Sequence, residues 1–328
     1  MEGVERMKAL VTGATGMVGS WLTRRLVDDG HDVVALVLDA DPQSELIRSG
    51  TLNRVSVVNG ALEDLGAVER AVTAHDVDTV FHLGAQTIVS TAHRAPVATL
   101  EANVRGTWNV LEVCRLHADQ VGRVVIASSD KAYGHHVELP YTEESSLIGR
   151  GPYDVSKSCA DLIARSFAET YDLPIGIARC GNIFGGGDLN WSRIVPGTIR
   201  SLVHQQQPVL RSDGTFVRDY LHVDDVVDAY LALGQALDRT ELWGQAFNFS
   251  NERPVTVREI YEAVCQAAGR PGVEPLVLDT AHHEIHDQYL NAERARSELA
   301  WGARVGLHDG LVQTVAWYSD FFARAAAT

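Results

Sequence analysis

Residues 8–20, Lys-Ala-Leu-Val-Thr-Gly-Ala-Thr-Gly-Met-Val-Gly-Ser, decide the fold. Lys8 to Thr12 is an apolar run of strand length, and Ser20 to Asp29, closed by Gly30, has the amphipathic pattern of a helix. Between them Gly13, Gly16 and Gly19 form G-x-x-G-x-x-G. Glycines there allow a tight turn and close approach of the backbone to a pyrophosphate, which then rests on the helix N-terminus. Glycine spacing alone is common by chance, but the strand-loop-helix setting points to a bound dinucleotide. Gly13, Thr15, Gly16, Met17, Val18 and Gly19 are therefore candidate cofactor residues.

Working outward, a second strand from His31 to Leu38 ends at Asp39, twenty residues beyond Gly19, where an acid can hold the adenosine ribose hydroxyls. A solvated loop acid is the alternative reading. No Arg or Lys lies between Val37 and Ile47, which favours NAD over NADP because a 2′-phosphate wants a cation. Further strands are expected at Val55 to Val58, Thr79 to Leu83, Arg123 to Ala127 and Pro174 to Arg179, with helices to about Ala74 and over Ala95 to His117. Alternating strands and helices make an α/β fold with a doubly wound parallel sheet. The pattern then turns irregular, with helices at Val195 to Gln205, from the Asp224 region to Leu237, Val257 to Ala268, Glu293 to Leu299 and Leu307 to Phe322, and a strand at Ala246 to Phe249. Residues 1–180 read as a nucleotide-binding domain, with returning segments at about 219–250, and residues 181–328 mostly as a smaller substrate lobe.

The strand Arg123 to Ala127 delivers Ser129, Asp130 and Lys131 to the sheet edge where ligands of open α/β sheets bind. Some twenty residues later stand Tyr153 and Lys157. Four apart on a helix, they share a face, so an ammonium can sit beside the phenol and lower its pKa toward neutrality. Such a phenolate can take a proton from an alcohol while a nearby acceptor takes the hydride. The bare pair occurs by chance in many chains; the dinucleotide site upstream gives it weight.

Composition bounds the rest. The chain has 328 residues, 45% hydrophobic and 22% charged, ordinary for a soluble globular protein. A net charge of -15 argues against nucleic acid or an anionic membrane as partner. Four cysteines without paired spacing argue against a disulfide framework or zinc site and fit a reducing cytoplasm. The N-terminus is unlike a signal peptide, and no run approaches the roughly eighteen apolar residues of a membrane span. A soluble, cytoplasmic protein is expected.

TGATGMVGS, HLGAQ, NVRGTWNVLE, SSDKAYG, YDVSK, RCGNIFGGGD and RDYLHVDDVVDAY, in that order, resemble the extended short-chain dehydrogenase/reductase family in its nucleotide-sugar epimerase/dehydratase branch. GSWL, SSDKAYG, KSCAD and GNIFGGGD are most similar to the CDP-glucose 4,6-dehydratase group. The resemblance implies a Rossmann fold, NAD as cofactor, a nucleotide-sugar substrate, and a homodimer formed through helices around 97–118 and 153–170. It implies Tyr153 as base, Lys157 as its pKa-lowering partner, Ser129 on the sugar 4-hydroxyl, and Asp130 as the acid for the departing 6-hydroxyl. Lys131 stands where many dehydratases carry a glutamate, the base for the C5 proton. Leu62, Leu83, Gly84, Ala85, Asn103 and Cys180 would flank the cofactor; Gln86, Asn182, Asn190, Ser192, Arg193 and Arg218 would hold the substrate. Two positions depart from the pattern: Val37 occupies the usual ribose-acid position and Ala61 replaces an adenine-contacting Asp.

The expected reaction is a 4,6-dehydration. A 4-epimerase is the nearest rival and needs Ser129, Tyr153 and Lys157 but no acid at Asp130. An ion pair capping the strand end is the plain structural alternative for Asp130 and Lys131, and a non-catalytic NAD-sensing regulator is a third reading. His282, His283, His286 and Asp287 form a His-rich segment read as polar surface, with no metal expected.

Overall fold

The computed structural model describes residues 6–280 and 284–325. Seven parallel strands form the central sheet: β1 (Lys8–Thr12), β2 (Asp32–Val37), β3 (Ser56–Asn59), β4 (Thr79–His82), β5 (Arg123–Ala127), β6 (Ile175–Cys180) and β7 (Ala246–Phe249). Their order is β7-β6-β5-β4-β1-β2-β3, so the winding reverses between β1 and β4. A crevice opens at such a switch point beyond the carboxyl ends of the strands.

Apolar faces set the layers. Leu22 and Leu26 of α1 (Met17–Asp28) pack on one sheet face with Val226, Tyr230 and Leu233 of a helix at Val223–Ala236. The other face is covered by α2 (Leu65–Thr73), α3 (Gly106–Leu116) and α4 (Pro152–Tyr171), through Val68, Val110, Val113 and Ala164 among others. A separate core joins Val195 and Ile199 of α5 (Ile194–Val203) to Ile260 and Val264 of a helix at Val257–Ala267 and to Leu311 and Tyr318 of Leu307–Ala325.

Two elements differ from the sequence expectation. The first helix begins at Met17, not Ser20, because Gly19 lies inside it: a Cβ there would come within 2.1 Å of the Gly13 carbonyl oxygen. The single helix expected over Ala95 to His117 is interrupted. A helical turn at Pro96–Leu100 runs into a π segment at Glu101–Arg105 before α3 starts. Thr107 Oγ1 donates to the Asn103 carbonyl at 2.6 Å, and the Asn103 side chain reaches sideways to Gln86 and Ser156. Local bonds of this kind compete with the regular ladder and widen the turn.

Behind α4 lies a buried ion pair. Arg179 of β6 donates from Nε and Nη2 to the two Asp161 carboxylate oxygens, each at 2.8 Å, and its side chain is 1% exposed against 0% for Asp161. The guanidinium also donates to Tyr133 Oη at 2.9 Å and lies 4.9 Å from that ring's centroid. We expect Asp161→Asn, which removes the counter-charge from an enclosed guanidinium, to lower unfolding free energy by about 3–5 kcal/mol in a denaturant titration. At the exposed Arg6–Asp32 pair, D32N should cost less than about 1 kcal/mol.

Candidate active site

A single cavity of about 1530 Å³ runs along the switch point and gathers nearly all the residues expected from the sequence. At one end Gly13, Thr15, Gly16, Met17, Val18 and Gly19 form its wall. Gly13 has φ +69°, and a Cβ there would lie 2.7 Å from the Gly84 amide nitrogen. The glycines thus keep open a cradle at the start of α1, shaped for a pyrophosphate. Leu83, Gly84 and Ala85 line the same wall, with Leu62 packed beneath Gly84. Asp39 is exposed at the rim, beyond the buried Val37, and Glu63 stands there too, a second acid that the motifs did not indicate. With no cation in the 37–47 segment, these residues fit NAD.

Asn103 is placed differently from the expectation: it is buried behind the cavity wall. Its Oδ1 accepts from the Gln86 amide at 2.6 Å, and its Nδ2 donates to the Gln86 carbonyl at 3.0 Å and to Ser156 Oγ at 2.8 Å. It therefore fixes the loop after β4 and α4 against each other. Cys180 does line the cavity, where burial pushes its thiol up to about 12.

Ser129, Asp130, Lys131, Tyr153 and Lys157 line the same cavity, from the end of β5 and the first turns of α4. Pro152 opens α4 at a position where its missing N–H costs nothing, which sets Tyr153 and Lys157 on the inner face. Ser129 Oγ donates to Asp130 Oδ1 at 3.0 Å and accepts from the Lys131 amide at 3.2 Å. Asp130 is 2% exposed and its Oδ2 has no partner among the described residues. Burial raises its pKa and outweighs the opposing pull of Lys131 and the Ser129 bond. Lys131 moves the other way: burial and then Arg218 lower its pKa against Asp130, Asp154 and Glu284. Its Nζ donates to Gln288 Oε1, while Gln288 Nε2 donates to the Asp130 carbonyl at 2.9 Å.

The phenol differs from its expected state. Burial pushes Tyr153 up to about 12, and the cation that most opposes this is Arg193, helped by a bond from Ser129. Lys157 Nζ is instead committed to the Ala127 carbonyl at 2.8 Å, and burial lowers its pKa to about 8. A phenolate near neutrality therefore needs a further positive charge beside the ring.

Gln86, Asn182, Asn190, Ser192, Arg193 and Arg218 all line the cavity. Arg193 Nη1 pairs with Asp188 Oδ2 at 3.0 Å, and Asn190 Oδ1 accepts from Ser192 Oγ at 2.6 Å. Arg218, expected on phosphate, is 5% exposed and donates to the carbonyls of Val217, Ile285 and His286, so it also clamps the 284–288 segment over the cavity. Gln288 and the ring pair Phe216–His286, 4.8 Å between centroids, were not indicated by any motif. His282 and His283 lie outside the described residues; His286 Nδ1 and Asp287 Oδ1 are 2.7 Å apart. Among the described residues no three His, Cys, Asp or Glu side chains are grouped to hold a metal. No helix among them is long and apolar enough to cross a membrane.

The comparisons agree with this geometry. A CDP-glucose 4,6-dehydratase of Salmonella typhimurium is 30% identical over 325 residues, covering 95% of this chain and 90% of the relative. Two crystal structures cover 96% of the chain. The UDP-glucose 4-epimerase of Thermotoga maritima with UDP-glucose has TM-score 0.87 and 25% identity over 100% of that chain. A dTDP-glucose 4,6-dehydratase of Streptomyces venezuelae with NAD has TM-score 0.84 and 27% identity over 97%. The family model for NAD dependent epimerases/dehydratases matches residues 9–248, and with it the chain belongs to the NAD dependent epimerase/dehydratase family.

Proposed function

We propose that this protein is an NAD-dependent nucleotide-sugar 4,6-dehydratase acting on a CDP-glucose-type substrate. The observation that carries this reading is Asp130, enclosed, with one oxygen unpartnered and its pKa raised. A 4-epimerase has no use for a protonated acid there, whereas a dehydratase must protonate the departing 6-hydroxyl. The CDP-glucose type is proposed from the SSDKAYG, KSCAD and GNIFGGGD stretches.

NAD+, when bound, would supply the acceptor for the C4 hydride and bring with it a positive charge of the kind that Tyr153 needs. Tyr153 takes the 4-hydroxyl proton while Ser129 orients that oxygen. The C4 ketone acidifies C5, and Lys131, whose lowered pKa favours the free amine, takes the C5 proton. Asp130 gives its proton to the 6-hydroxyl, which leaves as water; return of the stored hydride to C6 and of a proton to C5 would then complete the 4-keto-6-deoxy sugar, a net loss of one water. Lys157 binds the nicotinamide ribose, Asp39 the adenosine ribose, and Asn182, Arg193 and Arg218 the substrate. The nucleotide lobe spans residues 1–180 with the 219–250 segments, the sugar lobe most of the rest, and the enzyme works in the cytoplasm as a homodimer.

Incubating purified protein and NAD+ with CDP-glucose should give a product lighter by one water in mass spectrometry; unchanged mass with an inverted C4 in NMR would leave the epimerase instead. D130N should slow water loss by about 10²–10⁴-fold yet still form a C4 ketone trapped by borodeuteride, whereas Y153F should lose both.

The two shifts also fix the pH response. The acid must be protonated, so elimination falls as pH rises through the raised Asp130 value; the base must be neutral, so it grows as pH rises through the lowered Lys131 value. We expect a bell-shaped kcat profile for dehydration, and K131M should remove activity at every pH. A flat profile would sink the acid-base pairing.

For the dimer, the support is unpartnered apolar surface: Val97 is 71% exposed, Trp108 43%, Leu116 52% and Leu162 52%, all on the 96–116 helices and α4. Light scattering should find a dimer, and W108E combined with L162E should yield monomer.

A further inference from the structure

Gln288 is left without a task by the reaction above. It is buried and stands behind the cavity wall rather than in it. Its backbone is held from both sides. Asp287–Gln288 pairs in parallel with Val217–Arg218, the Tyr141 amide donates to the Tyr289 carbonyl at 3.0 Å, and the Leu290 amide donates to Asp219 Oδ2 at 3.3 Å. The plain account of the side chain is a tie between this segment and the turn after β5, since Nε2 donates to the Asp130 carbonyl at 2.9 Å.

The other end of the amide is more telling. A backbone carbonyl can only accept, so it decides which way round the amide sits: Nε2 faces Asp130 and Oε1 faces Lys131. There Oε1 accepts from Lys131 Nζ, the one hydrogen bond that this nitrogen makes among the described residues. Lys131 itself lines the cavity. An amide oxygen accepts from an amine or an ammonium alike, so the bond can outlast the gain and loss of a proton. With one N–H anchored, the nitrogen no longer turns freely about Cε–Nζ, and the lone pair of the free amine has two directions left to it instead of a full circle. Burial and then Arg218 favour that free amine, against Asp130, Asp154 and Glu284.

We propose that Gln288 is a positioning residue for the elimination: the Asp130 carbonyl orients its amide, and the amide oxygen anchors Lys131 Nζ so that the lone pair is presented to C5, an inference that rests on Lys131 being the C5 base. The lone pair forms a new N–H bond with the C5 hydrogen, the C5–H electron pair becomes the C5=C6 bond, and the 6-hydroxyl leaves with the C6–O pair and the Asp130 proton. The ammonium so formed still donates to Gln288. When C6 receives hydride it returns its proton to C5 and is the amine again. Because one amide ties the backbone of the acid to the nitrogen of the base, it also sets their spacing. Gln288 acts through Lys131 and touches no reacting atom.

The test compares NAD-loaded wild type, Q288M and Q288N on CDP-glucose. Three quantities are read: the C4 ketone trapped by borodeuteride, the rate of water loss by mass spectrometry, and the isotope effect on kcat from deuterium at C5. Q288M keeps the length of the side chain and removes both bonds. Q288N keeps a buried amide but is one methylene too short to reach both partners, and it serves if Q288M does not fold. Both should form the ketone and keep the wild-type KM, yet lose water about 10–100-fold more slowly and with a larger C5 isotope effect, because a misplaced base makes proton removal the slow step. Water loss at the wild-type rate in either variant overturns the positioning role. So does an equal fall in ketone formation and water loss, which is what a purely structural tie would give. If K131M still loses water, the dehydratase reading stands and the role of Gln288 falls with the base. A wild type that inverts C4 and loses no water overturns the dehydratase reading and this role with it.

Discussion

The rest of the molecule depends on how the two halves of the sheet are joined at their switch point, where the β1–β4 ladder ends at Thr12 and His82 and Thr12 Oγ1 ties the following loop to it. It accepts from the Leu83 and Gly84 amides at 3.1 and 3.0 Å and lies 2.8 Å from His82 Nδ1. On the far side of the ring, Nε2 is 3.0 Å from Thr107 Oγ1. Thr107 spends its proton on the Asn103 carbonyl, so it must accept from Nε2–H, and Thr12 donates to Nδ1. Each group has one role and the imidazole is neutral, in keeping with burial that lowers His82 to about 3. Through Asn103 the chain of bonds reaches Gln86 and Ser156, and so fixes α4 and its tyrosine to the floor of the cofactor cradle. The π segment is the geometric cost of aiming Asn103 that way.

Burial is the second organising force, and it acts on the two faces of the site in opposite senses. For Asp130 and Lys131 it disfavours both charges, raising the pKa of the carboxyl and lowering that of the ammonium. For Tyr153 it favours the neutral phenol, an effect that a positive charge beside the ring opposes.

Legibility in the sequence followed the distance over which each feature is built. The glycine turn and the 153/157 pair are local, so spacing was enough to find them. The parallel sheet was likewise plain from alternating apolar runs. Gln288 was not, because its link to Lys131 and Asp130 spans more than 150 residues and belongs to no motif. Arg218 was assigned to phosphate, while its carbonyl bonds to 285 and 286 depend on a segment that only the tertiary fold brings near. The burial that raises the Tyr153 pKa is likewise a product of tertiary packing, and while helical spacing sets Lys157 on the same face, the partner of its ammonium is the Ala127 carbonyl, thirty residues upstream.

That last bond bears on how the site is tuned. An ammonium that donates one proton to a carbonyl at 2.8 Å has two further protons to offer, and Lys157 lines the cavity. Asp161, one helical turn further along α4, favours the charged form of Lys157 while itself being neutralised by Arg179. The buried ion pair behind α4 is therefore also part of the electrostatics of the site. Its guanidinium takes both Asp161 oxygens, and the Lys157 ammonium has the Ala127 carbonyl at the end of β5 as its partner. The helix that carries Tyr153 is thus tied to β6 through Arg179 and Asp161 and to the end of β5 through Lys157 and the Ala127 carbonyl.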